Sequence, residues 1–435
     1  MNAPSIRPRD RDAVIQSLRA GVVPRTGQHL IQVGRKHEVE TLVADLDRVA
    51  DGGSTIRFVI GEYGAGKTFF LNLIRSVAME KKLVTANADL NPDRRLHATG
   101  GQARSLYAEL MRNLSTRTKP DGGAMAGIVE RFITNAKSEA KAQDKTSEEV
   151  IREKLEHLTE MVNGYDFAEV IAAYCRGFES GNEQLKADAV RWLRGEFNTK
   201  TEARQALGVR AIVDDASFYD QLKLFARFVR LAGYAGFVVC LDELVNLYKL
   251  PNTAARNANY EQILRILNDS LQGSAVGLGF ILGGTPDFLS DPRRGLFSYP
   301  ALQSRLADNT FAREGLVDYS GPVLRLSSLA PEDFYVLLQK LRNVYAFGDA
   351  AKFLLPDDAL PVFMEHCARR LGDSYFRTPR TTITAFINLL AVLEQNPGAS
   401  WQELLGAIEV RVDHGGASDG EVEVEEDAEL ASFKL

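Results

Sequence analysis

The chain has 435 residues, 45% hydrophobic and 25% charged, a composition typical of a globular protein with room for roughly two or three domains. No apolar run approaches the roughly 18 residues of a membrane span. The opening MNAPSIRPRDRD has no apolar leader core, and Cys175, Cys240 and Cys367 are too scattered for a disulfide framework or a cysteine–zinc site, so a cytoplasmic protein is expected. The formal net charge is −6, but residues 419–435 (DGEVEVEEDAELASFKL) hold seven acids and one Lys; the remainder is close to neutral and lacks the strong positive field of most dedicated nucleic-acid binders.

The first informative segment is Ile56–Ile60, apolar except for Arg57 and rich in β-branched residues, as in a buried parallel strand. It runs into Gly61-Glu62-Tyr63-Gly64-Ala65-Gly66-Lys67-Thr68, which fits G-x-x-x-x-G-K-[ST] at every fixed position. After Lys67 the spacing of Phe70, Leu73, Ile74 and Val77 is helical. Strand, glycine loop and helix together make a phosphate cradle. Backbone N–H groups and the helix dipole favour an anion, and glycines allow the close approach. Lys67 is placed to reach the β- and γ-phosphates and Thr68 to ligate Mg²⁺, with Phe69 completing the loop.

A second strand, Leu83–Ala88, and a helix, Ala103–Leu114, follow. Residues 123–232 read as mostly helical, with helix starts at Ser147-Glu148-Glu149 and at Asp214-Asp215-Ala216-Ser217. Trp192 and Arg194 lie in an amphipathic stretch and read as core and rim. Residues 237–243, Phe-Val-Val-Cys-Leu-Asp-Glu, are an apolar strand ending in two acids. Asp242 is placed to hold Mg²⁺ and Glu243 to orient or deprotonate the attacking water, a pairing that favours hydrolysis over transfer to another acceptor. A third strand, Val276–Leu282, runs into Gly283-Gly284-Thr285. Thr285 is a candidate sensor of the γ-phosphate; the alternative is a helix cap. Arg293, Arg294 and Arg305 are candidates for a cation supplied to a neighbouring subunit, Arg305 first, because such a group can contribute roughly 10³–10⁵ in rate. The alternatives are phosphate-backbone contact for Arg293 and Arg294 and pairing with surface acids for all three.

These residues, in this order, resemble the AAA+ ATPases, in particular the initiator-like branch related to origin-recognition proteins. Ile31-Gln32-Val33-Gly34-Arg35-Lys36-His37-Glu38 looks like the segment opening the nucleotide domain there, which implies that Gly34 and Arg35 lie near the adenine with the preceding 18–25 stretch. Leu324–Leu329 followed by Pro331-Glu332-Asp333-Phe334 looks like the last core strand leading into a helical lid. Phe376-Arg377-Thr378-Pro379-Arg380 then opens a helix from Thr381 to Leu393, and the resemblance makes Arg380 the lid arginine that folds back on the γ-phosphate. The Leu18–Arg25 stretch, GEYGAGKTFF and the RRGLFSYPAL run narrow the likeness to ATP-binding proteins of bacterial BREX-type phage-defence loci. There are two departures. Lys67 and Asp242 are 175 positions apart, leaving 118–232 as an insertion, and only 42 residues follow Leu393, too few for a winged-helix DNA-binding domain.

The expectation is an α/β AAA+ P-loop NTPase core, a parallel sheet with flanking helices, carrying a helical insertion and a C-terminal helical lid. Its parts would be 1–117 and 233–329 for the core, 118–232 for a partner-facing insertion, 330–412 for the lid and 413–435 for an acidic tail. ATP and Mg²⁺ are the cofactors expected. The resemblance implies a homo-oligomer working with a helicase, nuclease or methylase component in anti-phage defence. A slowly turning nucleotide switch and a DNA-loading ATPase without sequence preference are the rival readings.

Overall fold

The computed structural model describes residues 6–311, 318–326, 329–371 and 379–407. Residues 327–328 of the expected last strand, Phe376-Arg377-Thr378 and the acidic tail lie outside them. The sheet has five parallel strands in the order β2-β3-β4-β1-β5. They are β1 (Thr55–Ile60), β2 (Leu83–Asp89), β3 (Gly236–Asp242), β4 (Leu278–Gly284) and β5 (Val323–Arg325). β4 therefore extends through both glycines of the Gly-Gly-Thr sequence, and Glu243 stands just past the end of β3. Because every strand runs the same way, Ile60, Asp89, Asp242 and Gly284 finish on one edge, where ligands of open α/β sheets bind.

The strands are apolar on both faces, and alternate side chains enter different cores. Val59, Val238, Cys240 and Ile281 meet Leu42, Leu46, Phe70 and Ile74 of α2 (Lys36–Ala50) and α3 (Lys67–Glu80). Phe58, Val84, Phe237 and Phe280 face the other way, toward α4 (Gln102–Arg112) and the helices after it. Arg57, the one charge in β1, is buried against Asp45 of α2, with Nε–Oδ2 at 2.6 Å and Nη2–Oδ1 at 3.0 Å, and its Nη1 donates to the carbonyls of Tyr319 and Gly321. It therefore fastens α2 to the segment entering β5.

Residues 118–232 supply α5 (Met125–Gln143), α6 (Ser147–Thr159), α7 (Gly164–Ser180), α8 (Glu183–Leu193), α9 (Lys200–Leu207) and α10 (Phe218–Leu231). Their buried side chains are continuous with the sheet's: Phe132 and Phe167 contact Phe228 at 5.3 and 5.6 Å between ring centres, and Phe225 contacts Phe237 of β3 at 5.3 Å. Thr146 and Glu149 form a reciprocal capping box at the start of α6. Asp214 and Ser217 exchange bonds before α10, whereas Asp215 crosses to α4, accepting from the backbone N–H groups of Gly101 and Arg104 at 2.7 and 2.8 Å. Trp192 is buried and donates to the Ala211 carbonyl.

The chain continues through α11 (Val245–Tyr248), α12 (Thr253–Leu271), α13 (Pro286–Ser290) and α14 (Pro300–Leu306) to α15 (Pro331–Tyr345), α16 (Ala359–Leu371) and the helices Pro379–Gln395 and Trp401–Ala407. The last four share a second core with α1 (Pro8–Arg19): Val14 and Ile15 pack with Phe334, Leu338, Phe386 and Ile387. The Arg11 guanidinium stacks over Tyr345 and Phe347 at 4.5 and 5.0 Å. Thus the first helix belongs with the last ones, and residues 20–35 cross from that cluster to α2. No described helix is long and apolar enough to cross a membrane.

Candidate active site

A cavity of about 430 Å³ opens where the two cores meet, a volume within the range of small-molecule sites. Tyr63–Thr68 and Glu243 give it polar lining, and Val22, Val23, Ile31, Val33, Val39 and Ile383 give it apolar lining. Arg380 lies on its rim.

The polar lining follows from the loop's composition. Gly64 and Gly66 have φ of +75° and +84°, the region glycine enters without strain. That turn aims the first N–H groups of α3, which starts at Lys67, into the cavity. The Lys67 ammonium donates to the carbonyls of Gly61 and Glu62, both at 2.9 Å, holding the loop's curve. Withdrawal from water lowers the Lys67 pKa, while Asp242, Glu243 and Glu62 pull it back up. Behind the loop, Arg35 (φ +56°) donates to the Ala65 carbonyl at 2.6 Å; burial lowers its pKa, and Glu38 and Asp333 oppose that. The carboxylate of Asp333, on α15, stands where a side chain at Gly34 would begin.

The structure brings the acidic pair to this loop across the long intervening sequence. The Thr68 hydroxyl donates to Oδ2 of Asp242 at 2.7 Å, and Oδ1 of Asp242 accepts from the Glu243 N–H at 2.9 Å. Glu243 itself sits at φ +58°, an uncommon backbone for a residue with a side chain, which turns its carboxyl toward the cavity wall. Desolvation raises the Glu243 pKa, and the Asp242 charge raises it further. Asp89, paired in register with Asp242, is raised for the same two reasons.

Among the other expected residues, Thr285 caps α13 by accepting from the Phe288 N–H at 3.3 Å and is not part of the cavity wall. Arg305 is exposed on α14, donating to its own helix at Ala301. Arg293 is exposed, and Arg294 donates to the Leu250 carbonyl and lies over the Tyr248 ring. Two residues were not anticipated. A Cβ at Gly283 would collide with Oδ1 of Asp242, so only glycine lets that carboxylate lie against β4; two glycines inside an apolar strand were the available signal. Asp89 ends an ordinary-looking strand, and only the strand pairing shows that it faces the doublet.

A left-handed glycine cradle at a helix start, a lysine in it, and a hydroxyl bonded to a strand-end carboxylate fit a triphosphate with a hard divalent cation, and the apolar lining fits a flat base. The five-strand parallel sheet with its flanking helices is consistent with a P-loop NTPase core. The chain belongs to the family described as BREX system ATP-binding protein BrxC/D, whose model matches residues 6–409. No curated protein and no solved structure gives a match. The family makes this an ATP-binding protein and points to an ATPase in phage defence.

Proposed function

We propose that the chain hydrolyses ATP in this cavity and uses the resulting change between its two cores to act on a partner protein or DNA complex during defence against phage. The observation that carries this reading is the meeting of Thr68, Asp242 and Glu243 beside Lys67. Glu243 accepts a proton from the water whose oxygen bonds to the terminal phosphorus as the bond to the departing ADP oxygen breaks. Lys67 and Arg380 offset the charge on the phosphoryl oxygens. The Thr68 hydroxyl and Asp242 would hold a magnesium ion arriving with the nucleotide, which would supply further neutralisation when bound. The helices from 331 onward, with α1, serve as the lid.

The exposed position of Arg305 suits a cation offered to a neighbouring copy, so we assign activity to a homo-oligomer in the cytoplasm. A helicase, nuclease or methylase component is the partner class we favour. The test is phosphate release from Mg²⁺–ATP as a function of protein concentration, with Lys67→Ala and Arg305→Ala. Specific activity should rise with concentration in the wild type, vanish in Lys67→Ala and stay low and flat in Arg305→Ala. Phosphate release independent of concentration and of Arg305 would favour the slow switch. Stimulation by DNA that weakens steeply with salt would favour the DNA-loading reading.

A further inference from the structure

We propose that Gly21 and Tyr63 form a slot that positions the guanidinium of Arg380, and that this slot sets the site's preference for a nucleoside triphosphate over the diphosphate. The proposal rests on the reading of Arg380 as the group that meets the third phosphate. Gly21 ends α1 with φ +69°; its N–H donates to the Leu18 carbonyl at 3.0 Å and that of Val22 to Ser17 at 2.9 Å. This helix-ending turn explains a left-handed residue, a role asparagine also fills. Glycine is the usual residue there, and the approach of Arg380 gives a second reason for the missing side chain. A Cβ on Gly21 would stand 2.9 Å from both Nε and Nη2 of Arg380, closer than such atoms approach. The guanidinium therefore lies directly against the backbone of the connector between the two cores.

On its other side, Nη1 of Arg380 donates to the Tyr63 hydroxyl at 3.3 Å. Tyr63 is a large side chain in a loop otherwise built mainly of small residues, and it is 47% exposed. One turn further along the same helix, the Thr384 hydroxyl donates to the carbonyl of Leu18, in the last turn of α1, at 3.2 Å, so α1 and the helix bearing Arg380 are fixed to each other beside the slot. The charge is thus already held at the rim of the phosphate loop. A group held this way loses little freedom when its ligand arrives. ATP and ADP differ by one phosphoryl group, so an arginine that meets only that group acts on the ratio of the two affinities.

The test is calorimetric titration of the full chain with a non-hydrolysable ATP analogue and with ADP, both with Mg²⁺. Arg380→Ala should lower the triphosphate-to-diphosphate affinity ratio about tenfold or more, the loss expected for a charge-assisted hydrogen bond. Gly21→Asn keeps a residue suited to the left-handed turn and adds the offending Cβ. It should lower the ratio comparably, each triphosphate affinity being read against the same variant's ADP affinity, and the Gly21→Asn/Arg380→Ala double variant should go no lower than Arg380→Ala. Tyr63→Phe should lower the ratio roughly two- to tenfold. If Arg380→Ala loses the preference while Gly21→Asn and Tyr63→Phe keep it, the slot is overturned and the role of Arg380 stands. If Arg380→Ala keeps the preference, both fall. Should Gly21→Asn not fold, Tyr63→Phe decides: an unchanged ratio overturns the slot.

Discussion

At the scale of single residues, the site is as much a matter of missing atoms as of functional groups. Gly283 leaves the space in which Asp242 sits, and Leu71 closes the space beside it. Gly283→Ala should displace the carboxylate by a fraction of a van der Waals diameter. Phosphate release should fall about 10²-fold, the effect of a misplacement near 1 Å, while nucleotide is still bound through the loop. Steady-state kinetics with a parallel binding titration checks this; wild-type turnover in Gly283→Ala would show that Asp242 tolerates the shift. The contrast between Gly283 and Lys67 explains what was legible beforehand. Lys67, Thr68, Asp242 and Glu243 were legible because the chemistry proposed for them demands those residue types at strand and helix ends. Gly283 acts through a neighbour on another strand, which no local pattern reveals. Thr285 is the sensor candidate with a helix cap as the alternative, and its hydroxyl accepts from the Phe288 N–H at the start of α13.

At the scale of elements, two charged residues join segments far apart in the chain. Arg57 interrupts an apolar strand because its guanidinium holds both α2 and the entry to β5. Arg57→Ala leaves Asp45 buried and unpaired and should destabilise the protein by about 3–5 kcal/mol in denaturant unfolding. An Asp45→Leu/Arg57→Leu pair should recover part of that, since no charge is then stranded, but the Tyr319 and Gly321 carbonyls still lose their donor. A loss below about 1 kcal/mol for Arg57→Ala would mean the pair is solvated in solution. Asp215 sits in a sequence that signals the start of α10, yet it caps α4, and Asp215→Ala should reduce stability by about 1–2 kcal/mol. A thermal melt of that variant matching the wild type would contradict the cap. The helices of 118–232 were readable from their periodicity. That their apolar faces continue the core of the sheet was not, because periodicity gives the buried face of a helix but not what covers it.

At the scale of the whole molecule, the cavity lies between two cores joined by residues 20–35, and α1 travels with the C-terminal helices rather than with the sheet. A nucleotide bound in this cavity would touch both bodies and their connector. Hydrogen exchange with the ATP analogue should slow together in 61–80, in 20–35 and in 379–395; protection confined to 61–80 would mean that the C-terminal cluster does not respond to ligand. The central claim is narrower: Asp242, which ends β3, and Glu243, just past it, do hydrolytic chemistry on what the glycine loop holds. Its most direct measurement is Glu243→Gln, assayed for phosphate release and for retained ATP on the purified chain. Turnover reduced at least 10²-fold with ATP still bound, and recoverable uncleaved, is the result predicted. Turnover at the wild-type rate, or a wild-type chain that neither retains nor cleaves ATP, would contradict it.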